Sequence, residues 1–152
     1  MKVKNTKNIS LLIDANVIVD YLLVRQPQFS DSTRVLSVCQ NNVVKGYVAF
    51  HSLPSIWYTL RKNNVPDRRV ALTEIIDFLE VTGAPHSEVV SAIKNENFPD
   101  FEDCLQEKCA VTAGADYIVT GNIKDFKTSS ILAVTPAEML EILLNMRLNN
   151  ES

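Results

Sequence analysis

Strands alternating with helices along the whole chain predict an α/β fold with a mostly parallel central sheet between helical layers. Three observations carry this. The runs Leu11-Leu12-Ile13 and Gly46-Tyr47-Val48-Ala49-Phe50 are continuously apolar, as strands covered on both faces are. Segments with helical spacing separate each strand from the next. The run Tyr117-Ile118-Val119-Thr120 is followed by a polar turn, a further strand and a capped helix.

The elements follow in order. The opening strand closes on Asp14, and Val17 to Leu23 reads as a short buried helix ended by Arg25-Gln26-Pro27-Gln28. Ser30 is expected to cap a helix that buries Val35, Leu36, Val38 and Cys39 and stops at Asn41-Asn42. After the second strand, Leu53 to Lys62 is helical with Ile56, Trp57 and Leu60, and Asn63-Asn64 closes it. Pro66 fits the first turn of the next helix, Asp67 to Leu79, which should place Val70, Ile75, Phe78 and Leu79 inward. Glu80 to Thr82 is a weak third strand, and Ser87 is the expected N-cap of a helix from Glu88 to Lys94. From Asp100 the pattern is helical to Ala113, where Gly114 provides a left-handed stop. Tyr117 to Thr120 and Ile131 to Val134 are the last strands. Thr135-Pro136-Ala137-Glu138 forms a capping box that opens a helix to about Leu148.

At 152 residues the chain is expected to be a single domain, 1–152, and its 46% hydrophobic content is enough for a core without disulfides. The net charge of −3 argues against indiscriminate nucleic-acid binding, which needs a broadly basic surface. Cys39, Cys104 and Cys109 fit neither an even disulfide framework nor a zinc site, and read as buried thiols of a reducing compartment. The basic start Met1 to Asn8 leads into an apolar run too short for a signal peptide, and no stretch approaches a membrane span. A cytoplasmic protein without a membrane partner is therefore expected.

Asp14 is costly in a low-dielectric interior unless hydrogen-bonded or paired with a cation. In parallel sheets the ligand site lies at the carboxyl ends of the strands. Other acidic or polar groups suited to that edge are Asn122 and Asp125 after the Tyr117 strand, and Asp100, Glu102 and Asp103 at a helix start. Asp100 reads equally as a cap. Glu102 and Asp103 diverge by ~100° around a helix; Asp103 is the expected inward carboxylate and Glu102 the alternative. Carboxylates gathered from distant segments repel unless a cation holds them, and an oxygen-only set selects Mg²⁺ or Mn²⁺. Metal-assisted attack of water on a phosphodiester is the chemistry that follows.

Four segments then resemble one known family in order and spacing. They are Leu12 to Leu23, Asp100 to Gln106, Ala115 to Phe126, and Val134 to Glu138. Together, over about Ile9 to Leu144, they look like PIN domains of the VapC-like toxin ribonuclease type. The resemblance implies a three-layer α/β/α fold, Mg²⁺- or Mn²⁺-dependent cleavage of RNA, and service as the toxin partnered by an antitoxin protein. By position, Asp14 and Asp103 match the family's metal-binding aspartates, Asn122 and Asp125 match its polar group after the fourth strand, and Asn16 matches a residue that supports the first Asp. One position departs: Ser55 stands where many members carry a glutamate, which takes one negative charge from the site.

Two other readings compete. A PIN-like scaffold that binds RNA or protein without cutting is suggested by Ser55. An aspartyl phosphatase of the haloacid dehalogenase type is suggested by Asp14-Ala15-Asn16, although that class wants a second Asp at Asn16. Lys124 is placed to meet a substrate phosphate. Arg61, Lys62, Arg68 and Arg69 are either a solvated surface or a phosphate-contacting strip. Trp57 and Tyr58 are expected in the core or at a homodimer interface, and neither His51 nor His86 is assigned a role.

Overall fold

A computed structural model of the protein describes residues 5–151; the basic start Met1 to Lys4 lies outside them. The strands are β1 (Ser10–Ile13), β2 (Lys45–Ala49), β3 (Leu79–Thr82), β4 (Tyr117–Val119) and β5 (Leu132–Val134). The helices are α1 (Ala15–Leu22), α2 (Phe29–Gln40), α3 (Ser52–Lys62), α4 (Arg68–Ile76), α5 (His86–Lys94), α6 (Phe101–Ala113) and α7 (Pro136–Glu151). The sheet is parallel throughout in the order β3-β2-β1-β4-β5.

That order reverses direction at β1. Strands β1, β2 and β3 step one way; the chain then crosses back through α5 and α6 to place β4 on the other side of β1. Right-handed crossovers in opposite directions put their helices on opposite faces, so the reversal creates the layered architecture. The side chains of β1 show it. Leu11 and Ile13 enter a large core shared with α1, α2, α3, α4 and α7, while Leu12 enters a smaller one shared with α5 and α6. All three are fully buried, which is why the run is apolar without alternation. The reversal opens a crevice at the carboxyl ends of β1 and β4, the general position of ligand sites in such sheets.

Several boundaries differ from expectation. Helix α4 ends at Ile76, and Leu79 opens β3 opposite Gly46. Val70, expected inward, is 61% exposed, because Ala71, Leu72 and Ile75 form the packed stripe and turn Val70 outward. Ser30 lies inside α2, after an N-cap at Gln28 that makes no side-chain bond. Ser87 lies inside α5, where Pro85 is the cap and its carbonyl accepts from the Glu88 and Val89 amides. At α7 the Thr135–Glu138 capping box forms reciprocally, at 3.1 and 3.3 Å. Gly114 ends α6 at φ 70°, a conformation a side chain would strain. All three cysteines are buried free thiols. Among the described residues no helix is long and apolar enough to cross a membrane.

Candidate functional site

Asp14 occupies the residue between β1 and α1. Its backbone amide donates to the Val119 carbonyl, extending the β1–β4 ladder, and its carbonyl accepts from the Val17 amide to start the helix. Its side chain is therefore fixed where the sheet order reverses. Oδ1 accepts from the Ala15 amide at 2.8 Å and from Gln106 Nε2 at 3.2 Å; Oδ2 accepts from Thr120 Oγ1 at 2.8 Å and Asn16 Nδ2 at 3.1 Å. At 8% exposure, burial pushes the Asp14 carboxyl up, and the Thr120 and Ala15 hydrogen bonds pull against it. Four donors on one carboxylate is the compensation such a buried charge requires.

Each donor is itself held. Asn16 Oδ1 accepts from the Gly121 amide at 3.1 Å, so this side chain clips the start of α1 to the loop after β4. Thr120 Oγ1 accepts from the Asn122 amide at 3.1 Å, which shapes that loop. Gln106 Nε2 also donates to Ser52 Oγ at 2.6 Å, joining α6 on one face of the sheet to α3 on the other. The buried Gln106 Oε1 has no hydrogen-bond partner. Gln106, Thr120 and Ser52 escaped the sequence reading, since an uncharged side chain in a helix or strand carries no sign of a tertiary partner.

Helix α6 brings Asp103 to the same place. Asp100 caps the helix by accepting from the Asp103 amide at 3.0 Å, which sets the register. Asp103 is then partly buried, while Asp100 and Glu102 are exposed. The Asp103 carboxyl is pushed up to about 7, first by desolvation and then by the negative charges of Asp100, Asp14, Asp125 and Glu102. Asp125 also raises Asp14, whereas His51 lowers it. His51 follows β2; its Nε2 lies 3.2 Å from the Glu102 carbonyl and its Nδ1 3.9 Å from Cys109 Sγ.

Asn122, Lys124 and Asp125 lie exposed in and beside a single 3₁₀ turn, Ile123–Phe126, after β4. Ser55 is exposed on α3 and lines a cleft of about 230 Å³ with Ala15, Asn16, Val19, Arg25 and Thr59. The carboxylates thus repel one another, yet among the described residues no three His, Cys, Asp or Glu side chains converge to hold one ion. The two observations are compatible, because repulsion acts over several ångströms whereas Mg²⁺ wants oxygens at about 2.0–2.1 Å. The donors are a neighbourhood, not a closed cage. Their chemistry, carboxylate and amide oxygens rich in negative charge, fits a hard cation.

Fold and site define a class: a parallel α/β domain with carboxylates at the topological switch point. The chain belongs to the PIN-domain family, whose family model matches residues 10–124. No match was found among curated proteins. Among solved structures, PAE2754 from Pyrobaculum aerophilum has a similar fold at TM-score 0.63 and 15% identity, covering 90% of this chain and 96% of its own. The structure of VapBC2 from Rickettsia felis, bound to a DNA fragment from its promoter, matches at 0.62 and 15%, covering 84% and 98%. VapC20 from Mycobacterium tuberculosis, a toxin that cleaves the sarcin-ricin loop, matches at 0.60 and 14%, covering 83% and 99%. At these identities the likeness is one of fold.

Proposed function

We propose that the protein is a metal-dependent ribonuclease of the PIN type that hydrolyses RNA phosphodiesters. The observation that carries the reading is the set of carboxylates around Asp14, in which Asp103 is pushed up to about 7, first by desolvation and then by the charges of Asp100, Asp14, Asp125 and Glu102. Asp14, Asp103 and Asp125 would hold Mg²⁺ or Mn²⁺, with Asn122 and Glu102 as further oxygen donors. When bound, such an ion polarises the phosphodiester and eases the attack of water on phosphorus. Asn16, Thr120 and Gln106 keep Asp14 in one orientation, and Lys124 meets a substrate phosphate.

The toxin role, with an antitoxin protein as partner, rests on the family and on likeness to VapC20. The competing reading, a PIN-like module that binds without cutting, is favoured by Ser55, a neutral and exposed side chain on the cleft beside Asn16. Purified protein with Mn²⁺ and labelled single-stranded RNA decides between them. Cleavage is expected, with Asp14→Asn and Asp103→Asn each lowering the rate by at least about a hundredfold. Unchanged cleavage in both variants would remove the proposed site, and RNA binding without cleavage would leave the binding module.

A further inference from the structure

The acidic chain keeps one region of opposite sign. From Ser52 to Leu72 it carries four cations, Arg61, Lys62, Arg68 and Arg69, against one carboxylate, Asp67. Helix α3 itself contains no acidic residue. Among the described residues none of the four cations is paired with a carboxylate. Asp67 is engaged as the cap of α4, accepting from the Val70 amide at 3.2 Å. The carboxylates next along are Glu74, which accepts from the Tyr21 hydroxyl, and Asp77 at the far end of α4.

Two of the four cations are held in place. The Arg68 and Arg69 guanidinium groups lie 4.5 and 5.4 Å from the centre of the Trp57 ring, so the aromatic side chain fixes two positive charges at the α3–α4 junction. Arg68 Nε is buried without a hydrogen-bond partner. On α3, Ser55, Tyr58 and Lys62 follow one another at i, i+3 and i+7 and so share a stripe, along which all three are exposed. Tyr58 is 61% exposed, a large ring left in water. The stripe starts in the cleft that Ser55 shares with Arg25 and with Asn16, which donates to Asp14, and reaches Lys62 after ~10 Å of helix. Arg25 lies 3.9 Å from Asp20, a long and half-exposed pairing.

We propose that the surface running along α3 from Ser55 past Tyr58 to Lys62, and around the end of the helix to Arg61 and to Arg68 and Arg69 on Trp57, is the track along which single-stranded RNA lies as it leaves the carboxylate site. The inference rests on the ribonuclease reading for the identity of its ligand. The arginines and lysine take phosphates, and Tyr58 offers its face to an unstacked base. Ser55 acquires a purpose here: a carboxylate at the mouth of the track would repel the phosphate backbone that a hydroxyl can hydrogen-bond. An RNA duplex keeps its bases stacked and leaves Tyr58 without a partner, so single strands are favoured.

Binding separates the track from catalysis. Anisotropy of a labelled single-stranded RNA of mixed sequence, measured in EDTA over a salt series, reads affinity without cleavage. The triple variant Arg61→Ala, Lys62→Ala, Arg69→Ala alters exposed positions and leaves Arg68 on Trp57. It is expected to weaken binding at least about tenfold at low salt and to reduce the slope of log affinity against log salt by about 2. Tyr58→Leu is expected to cost about tenfold, while Tyr58→Phe retains binding. Wild-type affinity and slope in the triple variant would overturn the track and leave the cations to an acidic protein partner; so would a wild-type protein that binds no single-stranded RNA. Track-dependent binding by a protein that never cleaves with Mn²⁺ would defeat the nuclease reading and sustain the track.

Discussion

Helices α3 and α6 both start at the crevice, α3 directly after β2 and α6 on the way to β4, but they carry opposite chemistry. Helix α6 opens with Asp100, Glu102 and Asp103 and sends Gln106 to Asp14. Helix α3 opens with Ser52 and Ser55 and closes with Arg61 and Lys62. The two lie on opposite faces of the sheet, and Gln106 of α6 reaches Ser52 of α3 by a hydrogen bond. In the proposed nuclease, repelling carboxylates and phosphate-binding cations would have to be kept apart, and placing them in different layers does that. The pair that joins the two helices, Gln106 and Ser52, is neutral.

Gln106 is where this division can be broken most severely. Gln106→Leu keeps the volume roughly and removes the donor to Asp14 Oδ1 and Ser52 Oγ together. Losing hydrogen-bonded support of a ligand typically lowers metal affinity or activity 10–100-fold, so a drop of about that size in Mn²⁺-dependent cleavage is expected. Stability should change by no more than about 1–3 kcal/mol, with the lost donor opposed by removal of the unsatisfied Oε1. Urea unfolding beside initial rates gives both numbers. Full activity in a folded variant would show that Asp14 is oriented well enough by Thr120 and Asn16.

Ser55 sharpens the same contrast from the other helix. Ser55→Glu moves a negative charge from the α6 kind of chemistry onto α3. Mn²⁺ binding by calorimetry is expected to tighten about tenfold, roughly 1.4 kcal/mol, while affinity for RNA in EDTA falls. If neither changes, Ser55 faces away from both ion and substrate.

Why some of this was legible and some not follows from what a residue type announces. Asp14 stood out because a carboxylate ending an apolar strand has to be compensated. Asp100 to Asp103 stood out through charge density at a helix start. The parallel sheet was readable because β1 and β2 are buried on both faces and show it as unbroken apolarity. Val70 was misplaced because valine at helical spacing looks like core, and only the packing of Ala71, Leu72 and Ile75 decides which way α4 turns. Gln106 and Thr120 were invisible for a deeper reason. Their roles come from a crossover that sets residues 92 and 106 positions away against Asp14, and glutamine and threonine look the same in sequence whether solvated or buried.

The smallest expected effect is also the most direct reading of α6. The Asp103 carboxyl stands at about 7 in the folded protein against an ordinary value of 3.8. Between those values the native state binds more protons than the unfolded chain, so the slope of stability with pH is negative there. The contribution is fully present below 3.8, declines as pH rises, and is gone above about 7. Asp103 is only partly buried, so solvent screens part of it and the loss should amount to a few degrees of melting temperature. Melting in EDTA should therefore fall between about pH 4 and pH 7 more steeply in wild-type protein than in Asp103→Asn, which cannot titrate at that position. Added Mn²⁺ should remove the difference by raising the wild type near neutral pH, where the ionised carboxylate is a ligand instead of a source of repulsion. Parallel curves for the two proteins in EDTA would mean that Asp103 does not feel its acidic neighbours, and the contrast between α6 and α3 would lose its electrostatic basis.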